Sequence, residues 1–242
     1  MIRLATATDF PLNAVGETAV RINALFRAYG DAAPFLSLYA DGCGGVLALF
    51  EGVGFLYTEP PVSEEWQMFL LSHPDIRTVH TDAPGIRKAD LPGTFSRTGA
   101  VLRWESPRRE FSPMGETPSP RRLYPLLKTC FEKFAPFDGW YVDTSHRLRH
   151  GLCHIRAISD GERVISSAMT LAESDAAVLF GAVATDPASR GDHLAFHCLS
   201  GLIEDCKGKE LYICPRTPGI QAAYEKFGFS ACGNWFEWNL QK

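Results

Sequence analysis

AAVLFGAVATDPASRGDHLAFHCLSGLIE, residues 176–204, holds the pattern from which the fold of this chain can be read. Ala176–Thr185 is apolar at nearly every position, as expected of a strand covered on both faces rather than one with a wet side. A helix is predicted from Arg190 onward, with Leu194, Ala195, Cys198, Leu199, Leu202 and Ile203 in one stripe. Between the two, Thr185-Asp186-Pro187 ends the strand and Arg190-Gly191 opens the helix. Several unpaired backbone N–H groups therefore converge in front of the positive helix end, a spot suited to a pyrophosphate.

Downstream, Glu210–Pro215 (ELYICP) reads as the next strand of an α/β alternation. Ile220, Ala223, Tyr224 and Phe227 stripe a last helix, closed by Gly228 before a strand pair to the C-terminus. Upstream, Leu123, Leu126, Leu127, Cys130 and Phe131 recur at helical spacing, and a second helix ends where Gly151 supplies a left-handed cap. Two strands joined at Asp160-Gly161 follow. Trp104–Pro120 carries Pro107, Pro113, Pro118 and Pro120 without strand or helix periodicity and reads as a linker. The expected organisation is a domain over 1–105, a linker over 106–120 and a domain over 121–242. In the first of these, Phe10–Arg27 reads as a helix, FLSLYA and GGVLALFEGVGFLY as strands, and SEEWQMFLL as a serine-capped helix.

Composition excludes other classes. With 24 Lys+Arg against 28 Asp+Glu the net charge is -4, which offers no basic field for a nucleic acid. No apolar run is long enough for a signal peptide or membrane span, so a cytoplasmic location without membrane partner is expected. Seven cysteines without any CxxC read as reduced thiols, and no metal site is expected.

RGDHLA (Arg190–Ala195) after the buried strand resembles the acetyl-CoA loop of the GNAT N-acetyltransferase superfamily, R/Q-x-x-G-x-G/A, and AAYEKFGF (Ala222–Phe229) is similar to that family's closing helix. The resemblance covers 165–229 well and extends back to Arg121. It implies an α/β fold of the α+β mixed-sheet kind: a GNAT-like C-terminal domain with a mostly antiparallel central sheet flanked by helices, preceded by a smaller, degenerate GNAT-like α/β domain. It implies acetyl-CoA as cosubstrate and transfer of an acetyl group to a small-molecule or peptide amine by direct attack. Cofactor contacts would fall to Val183, Ala184 and Thr185 on the strand and to Arg190, Gly191, Asp192, His193, Leu194 and Ala195 in the loop. His193 replaces the loop's central glycine, a change that helical backbone angles would accommodate, and Thr217 stands where many members carry asparagine. The same pattern recurs literally at Arg27–Ala32, but there it lies at a helix C-terminus, whose free carbonyls repel phosphate.

The resemblance assigns Tyr224 as the acid that protonates the leaving thiolate, against the alternative of a core tyrosine on its helix stripe. His146, Arg149 and His150 form a basic cluster read either as the border of an acceptor cleft or as a solvated helix end complementing its own dipole. His146, His150 and His154 recur at four-residue spacing, but Gly151 would end the helix before His154 and no HExxH or paired-Cys context supports zinc. His197 reads as solvent-facing, and Asp143, Glu173 and Asp175 are unranked candidates for a general base. Two rival readings are a catalytically silent CoA-binding regulatory module and an interaction protein that binds no nucleotide.

Overall fold

A computed structural model describes residues 1–10, 14–31, 33–87 and 90–240. The N-terminal half runs β1 (Arg3–Leu4), α1 (Glu17–Tyr29), β2 (Leu36–Ala40), β3 (Val46–Phe50), β4 (Val53–Tyr57), α2 (Glu64–Ser72), β5 (Thr78–Thr81) and β6 (Thr94–Trp104). The C-terminal half runs α3 (Pro120–Cys130), α4 (Phe137–Arg149), β7 (Ile155–Asp160), β8 (Arg163–Glu173), β9 (Ala177–Thr185), α5 (Leu194–Asp205), β10 (Glu210–Ile213), α6 (Pro218–Phe227) and β11 (Phe229–Asn239). Part of the expected helix over Phe10–Arg27, namely residues 11–13, lies outside the described residues.

Local chemistry accounts for the helix starts. Ser63, Ser119 and Thr217 each accept a backbone N–H three residues on, from Trp66, Arg122 and Ile220, and Pro120 and Pro218 occupy the first turns of α3 and α6. Gly151 and Gly228 follow α4 and α6 with φ of 67° and 141°, conformations that a Cβ would strain.

All the described strands form one mixed sheet in the order β1-β2-β3-β4-β5-β11-β6-β10-β9-β8-β7. Its pairs are antiparallel except β4–β5 and β9–β10. The halves exchange strands at the centre: β11 lies between β5 and β6, while β6 lies between β11 and β10. The expected strand pair at the C-terminus is thus one eleven-residue strand, whose partners come from the N-terminal half.

Helices cover both faces, as the period-two alternation of β9 requires. Val178 and Phe180 pack with Cys198, Leu199 and Leu202 of α5 and Phe227 of α6. Ala177 and Leu179 face the other way, packing with Val20 and Ala24 of α1. The first helix of the N-terminal half therefore lies on the sheet of the C-terminal half.

The predicted helix at Arg190 begins instead at Leu194. Asp186 accepts the N–H of Ala188 at 3.0 Å and caps a single 3-10 turn, Pro187–Ser189, after which Arg190 is extended and Gly191 has φ of 117°. Because Asp186-Pro187 starts its own tight turn, four further residues separate it from α5.

Candidate active site

Strands β9 and β10 run parallel only from Ala177/Glu210 to Phe180/Ile213, after which they separate. Two irregularities in the β8–β9 pairing hold β9 in this shape. Ala182, with φ of 46°, is bulged between the pairs Met169/Gly181 and Ser167/Ala184. On β8, Leu171 is squeezed out between Thr170 and Ala172 and overhangs Gly181, where a Cβ would overlap its side chain. The Ser167 hydroxyl donates to the Ala182 carbonyl at 3.1 Å and that of Ser166 to the Ala184 carbonyl at 3.0 Å.

The separation opens a cavity of about 360 Å³ between residues 179–183 and 213–216, also lined by Arg21, Lys133, Leu171 and Tyr224. Its charged lining residues are all cationic: Arg21, Lys133 and Arg216. Tyr224 is 7% exposed, its hydroxyl has no hydrogen-bond partner among the described residues, and burial drives its pKa far above the ordinary phenol value. Cys214 also lines the cavity, and burial, followed by the charge of Glu17, raises its thiol well above its usual range, which disfavours a thiolate nucleophile.

Of the residues expected on the strand, only Val183 lines this cavity. Ala184 is buried toward Leu123 and Leu126, and the Thr185 carbonyl already accepts Cys130 Sγ at 3.5 Å and Arg190 Nε at 3.4 Å. The loop residues Arg190, Gly191, Asp192 and His193 are exposed, while Leu194 and Ala195 are half-buried in the first turn of α5. None of the six N–H groups from Arg190 to Ala195 donates to a partner among the described residues. His193 is not helical: it is the residue before α5, left-handed at φ 56° and ψ 23°, because the chain must reverse into the helix one residue after Gly191-Asp192. His197 is not free in solvent, since its Nδ1 lies 2.9 Å from the Ser112 carbonyl.

The structure does not bring His146, Arg149 and His150 to the β9–β10 cavity. His146 Nε2 donates to the Ala28 carbonyl at 2.8 Å and its ring stacks on Tyr29 at 5.3 Å, so it joins α4 to α1. His150 Nδ1 and Arg149 Nε turn back to the carbonyls of His146 and Ser145 in their own helix. His154 meets Glu173 at 2.9 Å, near Cys206, in a group of three whose potential ligand atoms lie within 4.8 Å of one another. Lys209 Nζ supplies a cation to Glu173 at 2.7 Å, and burial pushes the Cys206 thiol up to about 12, both of which oppose metal ligation. Asp175 is exposed and pairs with Arg27, and Asp143 is held by Tyr29 and Arg147.

The N-terminal half repeats the layout with different chemistry. Its parallel pair β4–β5 also stops pairing, after Phe55/His80, beside a larger cavity of about 520 Å³ whose lining includes Tyr57, Glu59, Asp82 and Arg103. The segment from β4 to α2, TEPPVS (58–63), has no glycine, and Pro60 and Pro61 lack N–H groups. Glu64 and Glu65 stand in the first turn of α2, where they repel an anion.

An acetyltransferase of the GNAT family from Colwellia psychrerythraea superposes with a TM-score of 0.62 at 10% identity, over 100% of both chains. The chain has the GNAT fold, in the two-domain arrangement. A tandem GNAT protein from the clavulanic acid biosynthesis pathway matches at TM-score 0.60 and 15% identity, covering 93% of this chain and 88% of that one. A GCN5-related N-acetyltransferase from Sphaerobacter thermophilus matches at 0.55 and 14%, over 100% and 96%. No protein-family model and no curated protein matches the sequence. No helix among the described residues is long and apolar enough to cross a membrane.

Proposed function

We propose that the chain is an acetyl-CoA-dependent N-acetyltransferase whose C-terminal half binds the cosubstrate and whose acceptor is a small-molecule or peptide amine. The observation that carries this reading is the parting of β9 from β10 beside Tyr224, which lines the cavity and whose hydroxyl has no partner among the described residues. An extended thioester arm can pair with a strand edge left open there, and the unpaired N–H groups of residues 190–195 suit its diphosphate. The open edge, the cavity and the free N–H groups lie on consecutive stretches of one strand and loop, so the residues fit acetyl-CoA. The acidic first turn of α2 and the two prolines before it speak against a second diphosphate site in the N-terminal half.

In the reaction the neutral amine nitrogen attacks the thioester carbonyl carbon and forms the new C–N bond. The C–S bond breaks, and the departing sulfur takes a proton from the Tyr224 hydroxyl, which burial keeps protonated at neutral pH. The amine's proton passes to solvent or a base. Arg21, Lys133 and Arg216 around the cavity disfavour an ammonium ion, which keeps a bound amine in its reactive neutral form. With Cys214 held as a thiol, direct attack is favoured over an acyl-enzyme.

A second reading, a CoA-binding module without turnover, is favoured by one observation, that no carboxylate among the described residues lines the cavity. Calorimetric titration of the full chain with acetyl-CoA, together with mass spectrometry of ligand retained from expression, tests the binding common to both. Thiol release with a panel of amines separates them. Ala195→Asp, which sets a carboxylate in the first turn of α5, should weaken acetyl-CoA binding about tenfold or more. Unchanged affinity in that variant would refute the loop assignment.

A further inference from the structure

Next to the β9–β10 cavity lies a second one of about 200 Å³, between α1, α4 and the Leu171 bulge. Arg21 and Leu171 line both, so the two adjoin at these side chains. The walls of the second are largely apolar: Leu25, Phe50, Phe55 and Ala172 among them. Its polar groups are mutually satisfied, since Asp143 accepts from both the Tyr29 hydroxyl and Arg147, and Arg147 Nη1 also donates to the Leu171 carbonyl at 2.9 Å.

Arg21 differs from them. Its Nε donates to buried Glu17, which orients the guanidinium, and its carbon lies over the Phe55 ring at 5.6 Å. Its two terminal nitrogens have no hydrogen-bond partner among the described residues, although the side chain is only 27% exposed. The second oxygen of Glu17 is occupied by His80 at 2.7 Å, so the charge of Glu17 is shared between two partners. A held guanidinium with two free, parallel N–H donors is the complement of a carboxylate.

We propose that Arg21 anchors the carboxylate of the acceptor, which is an amine bearing a carboxylate and a compact apolar or aromatic body, as a free amino acid does. The body fills the second cavity, which is large enough for a phenyl ring, given that an apolar cavity of roughly 150 Å³ accepts benzene. The amine then faces the β9–β10 opening and Tyr224. The N-terminal half thereby contributes the acceptor's recognition element through α1, and the C-terminal half the chemistry. This inference rests on the acetyltransferase reading above.

The test is calorimetric titration of the full chain, saturated with CoA, using L-phenylalanine and L-leucine and their decarboxylated counterparts, 2-phenylethylamine and 3-methylbutylamine. At least one amino acid should bind about tenfold or more tightly than its counterpart, and Arg21→Lys should erase that preference. Lysine keeps a cation beside Glu17 but loses the fork, and should the variant fail to fold, the wild-type comparison of each acid with its amine decides the matter alone. Equal binding of acid and amine, no binding of either amino acid, or a preference that survives in folded Arg21→Lys would overturn the assignment. Failure of CoA itself to bind would instead overturn the reading beneath it, which keeps the two failures apart.

Discussion

Glu17 Oε2 and His80 Nε2 lie 2.7 Å apart with both residues buried, joining the first helix to the last strand before the central strand exchange. Arg21 takes the other oxygen of Glu17, and His80 Nδ1 faces Glu237, itself in a bidentate pair with Arg97 at 2.9 Å. Burial is the largest single influence on Glu17 and opposes its charge, but Arg21 and His80 together outweigh it and hold the carboxyl at about 2. Burial likewise opposes charge on His80, and Glu17, with help from Glu237, outweighs it, so the imidazole is raised above its ordinary value.

The pair makes stability fall on both sides of a mildly acidic window. Glu17 contributes above its unfolded value of about 4.3, and its contribution is lost as pH falls toward its depressed folded value. His80 contributes fully below its unfolded value of about 6.5, and its contribution is lost as pH rises through the raised folded value. Thermal unfolding of the wild type should therefore show Tm declining from pH 6 into the alkaline range, and His80→Gln should flatten that decline while lowering Tm at pH 6. An alkaline slope unchanged in His80→Gln would show that the imidazole is not charged in the fold.

In the loop before α5, His193→Gly should stabilise the chain. A left-handed non-glycine residue costs about 1–2 kcal/mol, partly offset by the greater unfolded entropy of glycine, for a net gain of about 0.5–1 kcal/mol and a Tm rise of about 1–4 °C. Affinity for acetyl-CoA should stay the same or improve. A marked loss of affinity would mean that the imidazole itself touches the cosubstrate.

Tyr224→Phe removes only the hydroxyl and leaves the packing against Phe196 and Phe229 in place. Because that hydroxyl has no partner to orphan, Tm should hold, and kcat should drop by roughly 10² to 10⁴ if it protonates the thiolate. Undiminished turnover in the folded variant would remove Tyr224 from the chemistry.

The strand exchange predicts that the halves cannot be separated at the 106–120 segment. A fragment from 117 onward lacks β6, the strand that joins β10 to β11, and a fragment ending at 105 lacks β11, the strand that joins β5 to β6. Each alone should show weak, non-cooperative unfolding by circular dichroism, and mixing the two should restore a cooperative transition. Two independently cooperative fragments would contradict this.

Much of the C-terminal half was legible in the chain because its signals are local. The all-apolar run of β9, the end of that strand at Asp186-Pro187 and the α5 stripe each depend on neighbours within a few residues, where propensity and hydrogen bonding act directly. The exact start of α5 and the left-handed state of His193 were not legible, since both follow from how the loop closes rather than from which residues it holds. Strand β6, TFSRTGAVLRW, carries an internal glycine and two arginines, and four of its first five positions are exposed, so it lacks a strong period-two pattern. Its identity as a strand comes from its long pairing with β11, about 125 to 145 residues away. Backbone hydrogen bonds are the same for every sequence, so which strands pair is decided by the side chains that meet when the whole sheet closes. Arg21 illustrates the point: nothing around it in the sequence marks it, and only the tertiary structure sets α1 across β9 and brings Arg21 to the lining of the cavity that Tyr224 also lines.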